Sequence, residues 1–195
     1  KREPDYESVA EYSAECFVPL TIGGGVKNIT DVKKLLHAGA DKISINSIAI
    51  DIPGIISEIA AKFGSQCVVV SIDAKLCKNG GYECFSRSGI RSTGLDVVEW
   101  AKEAADRGAG EILLTSIDRD GTMEGYDIDL IKSITEAVSI PVIASGGAGN
   151  YDHMLQAIKI GGASAVAAAS IFHFTQQTPL EAKKYLRDNG ICTRV

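Results

Sequence analysis

The segments IGGGVKNITDVKKLLHAGADKISINS, residues 22–47, and SGGAGNYDHMLQAIKIGGASAVAAAS, residues 145–170, decide the fold of this 195-residue chain. Aligned without gaps at an offset of 123 residues, they carry Gly24 to Gly147, Gly39 to Gly162 and Ser47 to Ser170. Both follow the order strand, glycine turn, helix, glycine, strand and small polar residue. A repeated unit of this kind indicates a (β/α) barrel with two-fold pseudosymmetry.

The rest of the chain continues the same alternation of short β-branched runs and helix-period segments. The runs are apolar on both faces, as in VVVSID and EILLTSID, which is typical of strands in a covered parallel sheet. The sequence predicts strands over 19–22, 42–46, 67–73, 111–116, 141–145 and 165–169. It predicts helices over 30–38, 53–63, 95–107, 128–137, 152–160 and 179–189, with Thr30 and Asp152 as N-caps.

These elements predict one α/β domain over residues 1–195, a truncated (β/α)8 TIM barrel with six of its eight strands. Half-barrel symmetry requires two further βα units before the first repeat, of which the chain includes only the final helix. We therefore expect about 50–60 residues, with two strands, to precede Lys1. We also expect the 195-residue chain by itself to be inactive.

The composition restricts the possible partners. A net charge of −5 and a pI near 5.2 argue against nucleic acid and against an anionic membrane surface, and no apolar run is long enough to span a bilayer.

The five cysteines have no CxxC spacing and no secretory signal precedes them, which favours a reducing cytoplasm. Cys67, within an apolar run, is predicted to be a core thiol. The scattered histidines and cysteines indicate no metal site, and we expect no cofactor.

Function in a (β/α) barrel gathers where the strands end, and the repeat places glycines and small polar residues there. A first cup is predicted from residues 23–25 with Asn46 and Ser47, and a second cup from residues 146–147 with Ala169 and Ser170. Glycine lets backbone N–H groups approach an anion closely. Two such cups favour a ligand with a phosphate at each end, although glycine turns that merely close the barrel remain an alternative.

Asp73 ends the apolar strand VVVSID, where a carboxylate is costly unless it is hydrogen-bonded or used chemically. It is a candidate general acid or base, and the alternative is a loop cap or an ion pair with Lys75.

Two polar segments follow neighbouring strands. In LLTSIDRDGTMEGYD, residues 113–127, we consider Thr115, Asp118 and Asp120 as ligand-facing residues, with plain turn chemistry as the alternative. In YECFSRSGIRSTG, residues 82–94, the sequence predicts a mobile basic flap that offers Arg87 and Arg91 to phosphate, with a solvated loop as the alternative.

At these residues the chain resembles the cyclase subunits of imidazole glycerol phosphate synthase, which act in histidine biosynthesis. The matching phrases cover nearly the whole chain: IGGGV, GADKISINS, FGSQCVVVSIDAK, GAGEILLTSIDRDGTMEGYD, PVIASGGAG and AAASIFHF. The resemblance implies a lyase that converts N′-[(5′-phosphoribulosyl)formimino]-AICAR ribonucleotide, a bisphosphate, and ammonia into imidazole glycerol phosphate and AICAR ribonucleotide. It also implies a glutaminase subunit (a glutamine amidotransferase) docked on the face opposite the active site.

The resemblance assigns roles to particular residues. Asp73 matches one of two catalytic aspartates, and Lys42 and Glu111 match residues of an ammonia gate. Thr115 and Ser145 match active-site positions. The phosphate sites of the family match Gly24, Gly25, Asn46 and Ser47 at one end and Gly121, Gly147, Ala169 and Ser170 at the other.

Two features of the chain keep other functions open. The segment SGIRSTG stands where the family carries consecutive lysines before NTG, and the opening REPDYESVAEYSAECF resembles paralogues associated with surface-sugar amidation. Those paralogues deliver ammonia to a nucleotide-sugar amidation step. A third possibility is an inactive barrel fragment that retains only phosphate binding.

Overall fold

A curled parallel sheet of six strands forms the centre of the computed structural model, which describes residues 3–78 and 80–194. The spatial order of the strands follows the chain: β1 (Thr21–Gly23), β2 (Lys42–Ile45), β3 (Val68–Leu76), β6 (Glu111–Ser116), β7 (Val142–Ser145) and β8 (Ala165–Val166). Neighbouring strands are parallel throughout this path. The predicted six strands and α/β class are therefore confirmed, and the arrangement is that of consecutive strands of a (β/α)8 barrel.

Helices precede the first strand, lie between successive parallel strands and follow the last one, as the βα alternation requires. They are α1 (Tyr6–Glu15), α2 (Ile29–His37), α3 (Ser47–Asp51), α4 (Gly54–Phe63), α5 (Val97–Asp106), α6 (Ile128–Thr135), α7 (Tyr151–Lys159), α8 (Ser170–Phe174) and α9 (Pro179–Asp188). None of the helices in the described part of the chain is long and apolar enough to cross a membrane.

The segment predicted as a mobile basic flap, with a solvated loop as the alternative, is a regular β-hairpin. Strands β4 (Tyr82–Ser86) and β5 (Arg91–Asp96) pair with each other in antiparallel fashion, and β4 continues onto the end of β3. The reason is that β3 extends three residues beyond its predicted end at Asp73, so its last residues offer backbone groups for pairing.

The N-caps of the two repeat helices are Asn28 and Asn150, and the prediction of Thr30 and Asp152 is wrong. The Asn28 side chain accepts hydrogen bonds from the N–H groups of Thr30 and Asp31, and that of Asn150 accepts from His153 N–H. Asparagine is a preferred N-cap because its side-chain oxygen satisfies N–H groups of the first turn.

These caps also correct the gapless repeat. Asn28 and Asn150 are 122 residues apart, and so are the left-handed glycine pairs 24–25 and 146–147. The offset returns to 123 at the left-handed glycines Gly39 and Gly162. The second unit therefore has one residue more between the N-cap of its helix and the glycine that follows, and the structural counterpart of Gly24 is Gly146.

The two faces of the central strands differ in character. On β3, Val70, Ile72 and Ala74 are buried in the hydrophobic core together with the surrounding helices. The alternate residues Ser71 and Asp73 face the inside of the curl, where they line a cavity. Cys67 precedes β3 in a short 3₁₀ turn and is only partly buried, so the prediction of a core thiol is wrong for it, whereas Cys84 is buried.

Candidate active site

The first cup is a cavity of about 730 Å³ at the carboxyl ends of β1, β2 and β3. It brings together the predicted residues Gly24, Gly25, Asn46, Ser47 and Asp73. Sequence reasoning missed other residues that line it: Lys27, Ser44, Asp51, Ser71 and Ser88. Ser44 and Ser71 were detectable as polar residues that alternate with buried ones on β2 and β3.

The second cup is a smaller cavity of about 170 Å³ beyond β6, β7 and β8. Its lining includes every residue predicted for this end: Gly121, Ser145, Gly147, Ala169 and Ser170. The loop after β6 is fixed against it, because Gly125 N–H donates to Gly147 O at 2.7 Å and Tyr126 OH donates to Ala167 O at 2.9 Å.

The two cups have the same backbone design. Gly24 and Gly25 have φ values of +93° and +75°, and Gly146 and Gly147 have values of +90° and +103°. Consecutive left-handed residues turn the chain from strand to helix and leave their N–H groups without a neighbouring Cβ. Asn46 and Ala169, which precede the short helices α3 and α8, also share a conformation, with φ of −124° and −127°.

Asp73, which lines the first cup on the side nearer the second, and Thr115 lie between the two glycine pairs. The register pairs Asp73 with Thr115, and Thr115 in turn with Ser145, so the three residues form a row across β3, β6 and β7. Two strand spacings separate Asp73 from Ser145, or about 10 Å. Because the strands are parallel, both cups and this row lie at one edge of the sheet.

The environment of Asp73 favours its protonated form. Burial raises the pKa of this carboxyl above its ordinary value, and the negative charge of Asp120 raises it further, while a hydrogen bond with Asn46 partly opposes them. Asp120 also lines the second cup, so its charge links that cup electrostatically to Asp73. A carboxyl whose pKa is raised is better suited to proton transfer near neutral pH than one with the ordinary value.

Asp73 has no ion pair with Lys75 in the part of the chain that the structure describes. The Lys75 ammonium instead lies 5.8 Å from the centroid of the Phe85 ring on the hairpin. The ion pair with Lys75, which was a structural alternative for Asp73, is therefore not formed.

Two candidates have other roles. Asp118 accepts a hydrogen bond from Leu76 N–H at 2.9 Å, so its carboxylate fixes the end of β3 and does not face either cavity. Arg91 was predicted to be available to phosphate, but it forms an ion pair with Asp51 at 3.1 Å.

Arg87, the other arginine predicted to be available to phosphate, lines the first cup, and its N–H donates to Ser47 Oγ at 3.0 Å.

Lys42 and Glu111 lie at the opposite, amino-terminal end of the strands. Their side chains form an ion pair across β3, with 26% and 21% of their side-chain surface exposed. They share the inner face of the sheet with Ser44 and Thr115 but are separated from the cups by the length of the strands.

A curled parallel sheet whose carboxyl edge carries two glycine-walled cavities on either side of a half-buried carboxylate defines a barrel protein with a two-ended polar site. Comparison with protein-family models agrees with this class. The chain belongs to the histidine biosynthesis protein family, whose model matches residues 1–178.

The raised pKa of Asp73 predicts how the stability of an Asp73→Asn variant depends on pH. A carboxyl that binds its proton more tightly when folded stabilises the protein below its unfolded pKa, and this contribution is lost as pH rises through the folded pKa. Asparagine cannot ionise, so the unfolding free energy of the variant minus that of the wild type should increase between about pH 3 and about pH 7. Urea unfolding across this range measures the difference, and a flat or falling difference would contradict the raised pKa.

Proposed function

We propose that this chain carries the active site of the cyclase subunit of imidazole glycerol phosphate synthase. The substrate is the formimino-AICAR bisphosphate, which reacts with ammonia to give imidazole glycerol phosphate and AICAR ribonucleotide. One observation carries the proposal: two cups of the same backbone design lie at one sheet edge, with Asp73 between them.

The cups account for the two phosphates of that substrate. Each offers glycine N–H groups and a serine hydroxyl, Ser47 in the first and Ser170 in the second, which are the donors that phosphate oxygens accept. The reacting centre between the two phosphates then lies over Asp73 and Thr115. In this position Asp73 acts as a general acid or base, and burial raises the pKa of its carboxyl in the direction that such a step requires.

Ammonia enters, in this proposal, from the opposite end of the strands. The Lys42–Glu111 ion pair lies across the inner face there and would act as the gate between a glutaminase subunit and the interior. The polar residues Ser44 and Ser71, on the same inner face, provide hydrogen-bonding groups between the gate and the first cup.

A second candidate is the ammonia-accepting paralogue of nucleotide-sugar amidation. The observation that favours it is the hairpin segment SGIRSTG, in which Arg91 is engaged with Asp51 instead of being directed to a phosphate. In this function the barrel keeps its glutaminase partner and its cups but has a different ligand.

Turnover distinguishes the two functions. The assay combines the formimino-AICAR bisphosphate with free ammonia, which removes the need for the glutaminase, and follows the release of AICAR ribonucleotide. It uses this chain extended to a complete eight-stranded barrel, with the 195-residue chain in parallel. The cyclase function predicts turnover by the extended protein, whereas binding without turnover favours the paralogue and no binding contradicts both.

A further inference from the structure

The two cups differ in charge although their backbones match. The second cup is lined by Asp120, small residues and Met123, without any lysine or arginine among its described lining residues. The first cup is lined by two cations, Lys27 and Arg87. Any ligand that reaches across both cups therefore meets positive side chains at only one end.

Of the two cations that line the first cup, Lys27 forms an ion pair and Arg87 forms none with any described residue. The Lys27 ammonium forms an ion pair with Glu3 at 3.2 Å. No carboxylate within residues 3–78 and 80–194 forms an ion pair with the Arg87 guanidinium, and its side chain is exposed at the rim of the cavity. A free guanidinium beside a glycine-walled cavity is suited to bidentate contact with phosphate oxygens.

The hairpin holds Arg87 in this position through contacts with the segment that follows β2. Asn46 Nδ2 donates to Phe85 O at 3.3 Å, Arg87 N–H donates to Ser47 Oγ at 3.0 Å, and Arg91 pairs with Asp51 at 3.1 Å. The left-handed φ values of Arg87 and Ser88, +55° and +58°, turn the chain sharply at the tip. These bonds place the Arg87 backbone beside the Ser47 hydroxyl, which is itself part of the cup.

We propose that Arg87 determines the specificity of the first cup by binding the phosphomonoester at one end of the ligand, so that this cup selects a dianionic group while the second cup binds phosphate through uncharged donors. The inference rests on the proposed phosphate binding at both cups. It adds Arg87 as a charged group that contacts the phosphate, and an order of preference between the first cup and the second. Affinity at the first cup should consequently fall more steeply with added salt than affinity at the second.

Titration with inorganic phosphate, followed by NMR of the ¹⁵N-labelled 195-residue chain, measures the two cups separately. The amide signals of Gly24 and Gly25 report the first cup, and those of Gly147 and Ser170 report the second. We expect Arg87→Gln to weaken phosphate binding at the first cup by about tenfold or more, and to leave the second cup unchanged. Arg107→Gln, which removes the same charge from the C-cap of α5, before the amino-terminal end of β6, should change neither.

Arg87→Lys separates charge from geometry, because it keeps the positive charge but lacks the planar guanidinium group. Its loss of phosphate affinity at the first cup should be smaller than that of Arg87→Gln. Unchanged Phe85 and Arg91 amide signals in the phosphate-free variants establish that the hairpin is intact. Equal phosphate affinity in Arg87→Gln and wild type would overturn the role of Arg87 and leave the proposed function standing. An absence of any response at both glycine pairs in the wild type would overturn the proposed phosphate site itself.

Discussion

Replacing Asp73 with asparagine is expected to lower kcat for the formimino bisphosphate by about 100-fold or more, because the amide cannot exchange a proton with the reacting centre. The two side chains have nearly the same shape, so the hydrogen bond with Asn46 and the row formed with Thr115 and Ser145 can persist. The glycine and serine donors of both cups do not change, so KM should remain within a few-fold of the wild type. The assay is the one with free ammonia, in the complete barrel.

The matched control is Asp188→Asn, which makes the same chemical change on the exposed surface of α9. It should leave kcat and KM unchanged. If Asp73→Asn retained wild-type kcat, Asp73 would be a structural residue and its raised pKa would have no catalytic use. If Asp73→Asn raised KM and left kcat unchanged, Asp73 would instead be a binding group.

Gly147→Ala is expected to disrupt the second cup. Gly147 has a φ of +103°, and an added Cβ would lie 2.2 Å from the backbone oxygen of Gly125. Gly125 has little room to move away, because its N–H is hydrogen-bonded to Gly147 O. The left-handed conformation and the backbone clash together should lower the unfolding free energy by roughly 3 kcal/mol or more. Phosphate binding at the second cup should be lost with them.

Gly121→Ala is the matched comparison, because Gly121 lies in the same cup with a φ of +79° but an added Cβ would meet nothing within 4 Å. Only the conformational cost of about 1 kcal/mol applies there. Chemical denaturation and the Gly24 and Ser170 amide signals measure both effects. Equal destabilisation by the two substitutions would show that the contact between Gly147 and Gly125 does not restrict this cup.

The repeat and the apolar runs were sufficient to predict the parallel sheet. The strand at 111–116 was predicted with its observed bounds, since EILLTS is apolar on both faces and ends at a polar turn. The last strand was predicted to run to Ala169 but ends at Val166, because its apolar alanine run continues into the turn that precedes α8. Small apolar residues do not distinguish a strand from a tight turn.

The hairpin could not be predicted in the same way. Its strands YECFS and RSTGLD have weak hydrophobic alternation, and what orders them is pairing with the extended end of β3. The Arg91–Asp51 ion pair joins residues 40 positions apart, a relation that no local pattern contains. The N-caps were misplaced by two residues, because Thr30 and Asp152 are also residue types that favour the N-cap position and only the backbone conformation shows that Asn28 and Asn150 occupy it.

The candidate site was largely accessible from sequence, since glycines and small polar residues at strand ends have a recognisable spacing. The structure adds the relation between them: Thr115 links Asp73 to Ser145 in one row, and the charge of Asp120, which lines the second cup, raises the pKa of the Asp73 carboxyl. Such relations depend on strand register, which a single sequence does not specify.

The most direct test of the central claim is a titration of the chain with the formimino-AICAR bisphosphate that measures both stoichiometry and the amide signals of the two cups. If one molecule is held at both ends across Asp73, binding saturates at one ligand per chain, and the signals of Gly25 and Gly147 shift together along a single binding curve. Saturation at two ligands per chain, or a response confined to one cup, would contradict the account.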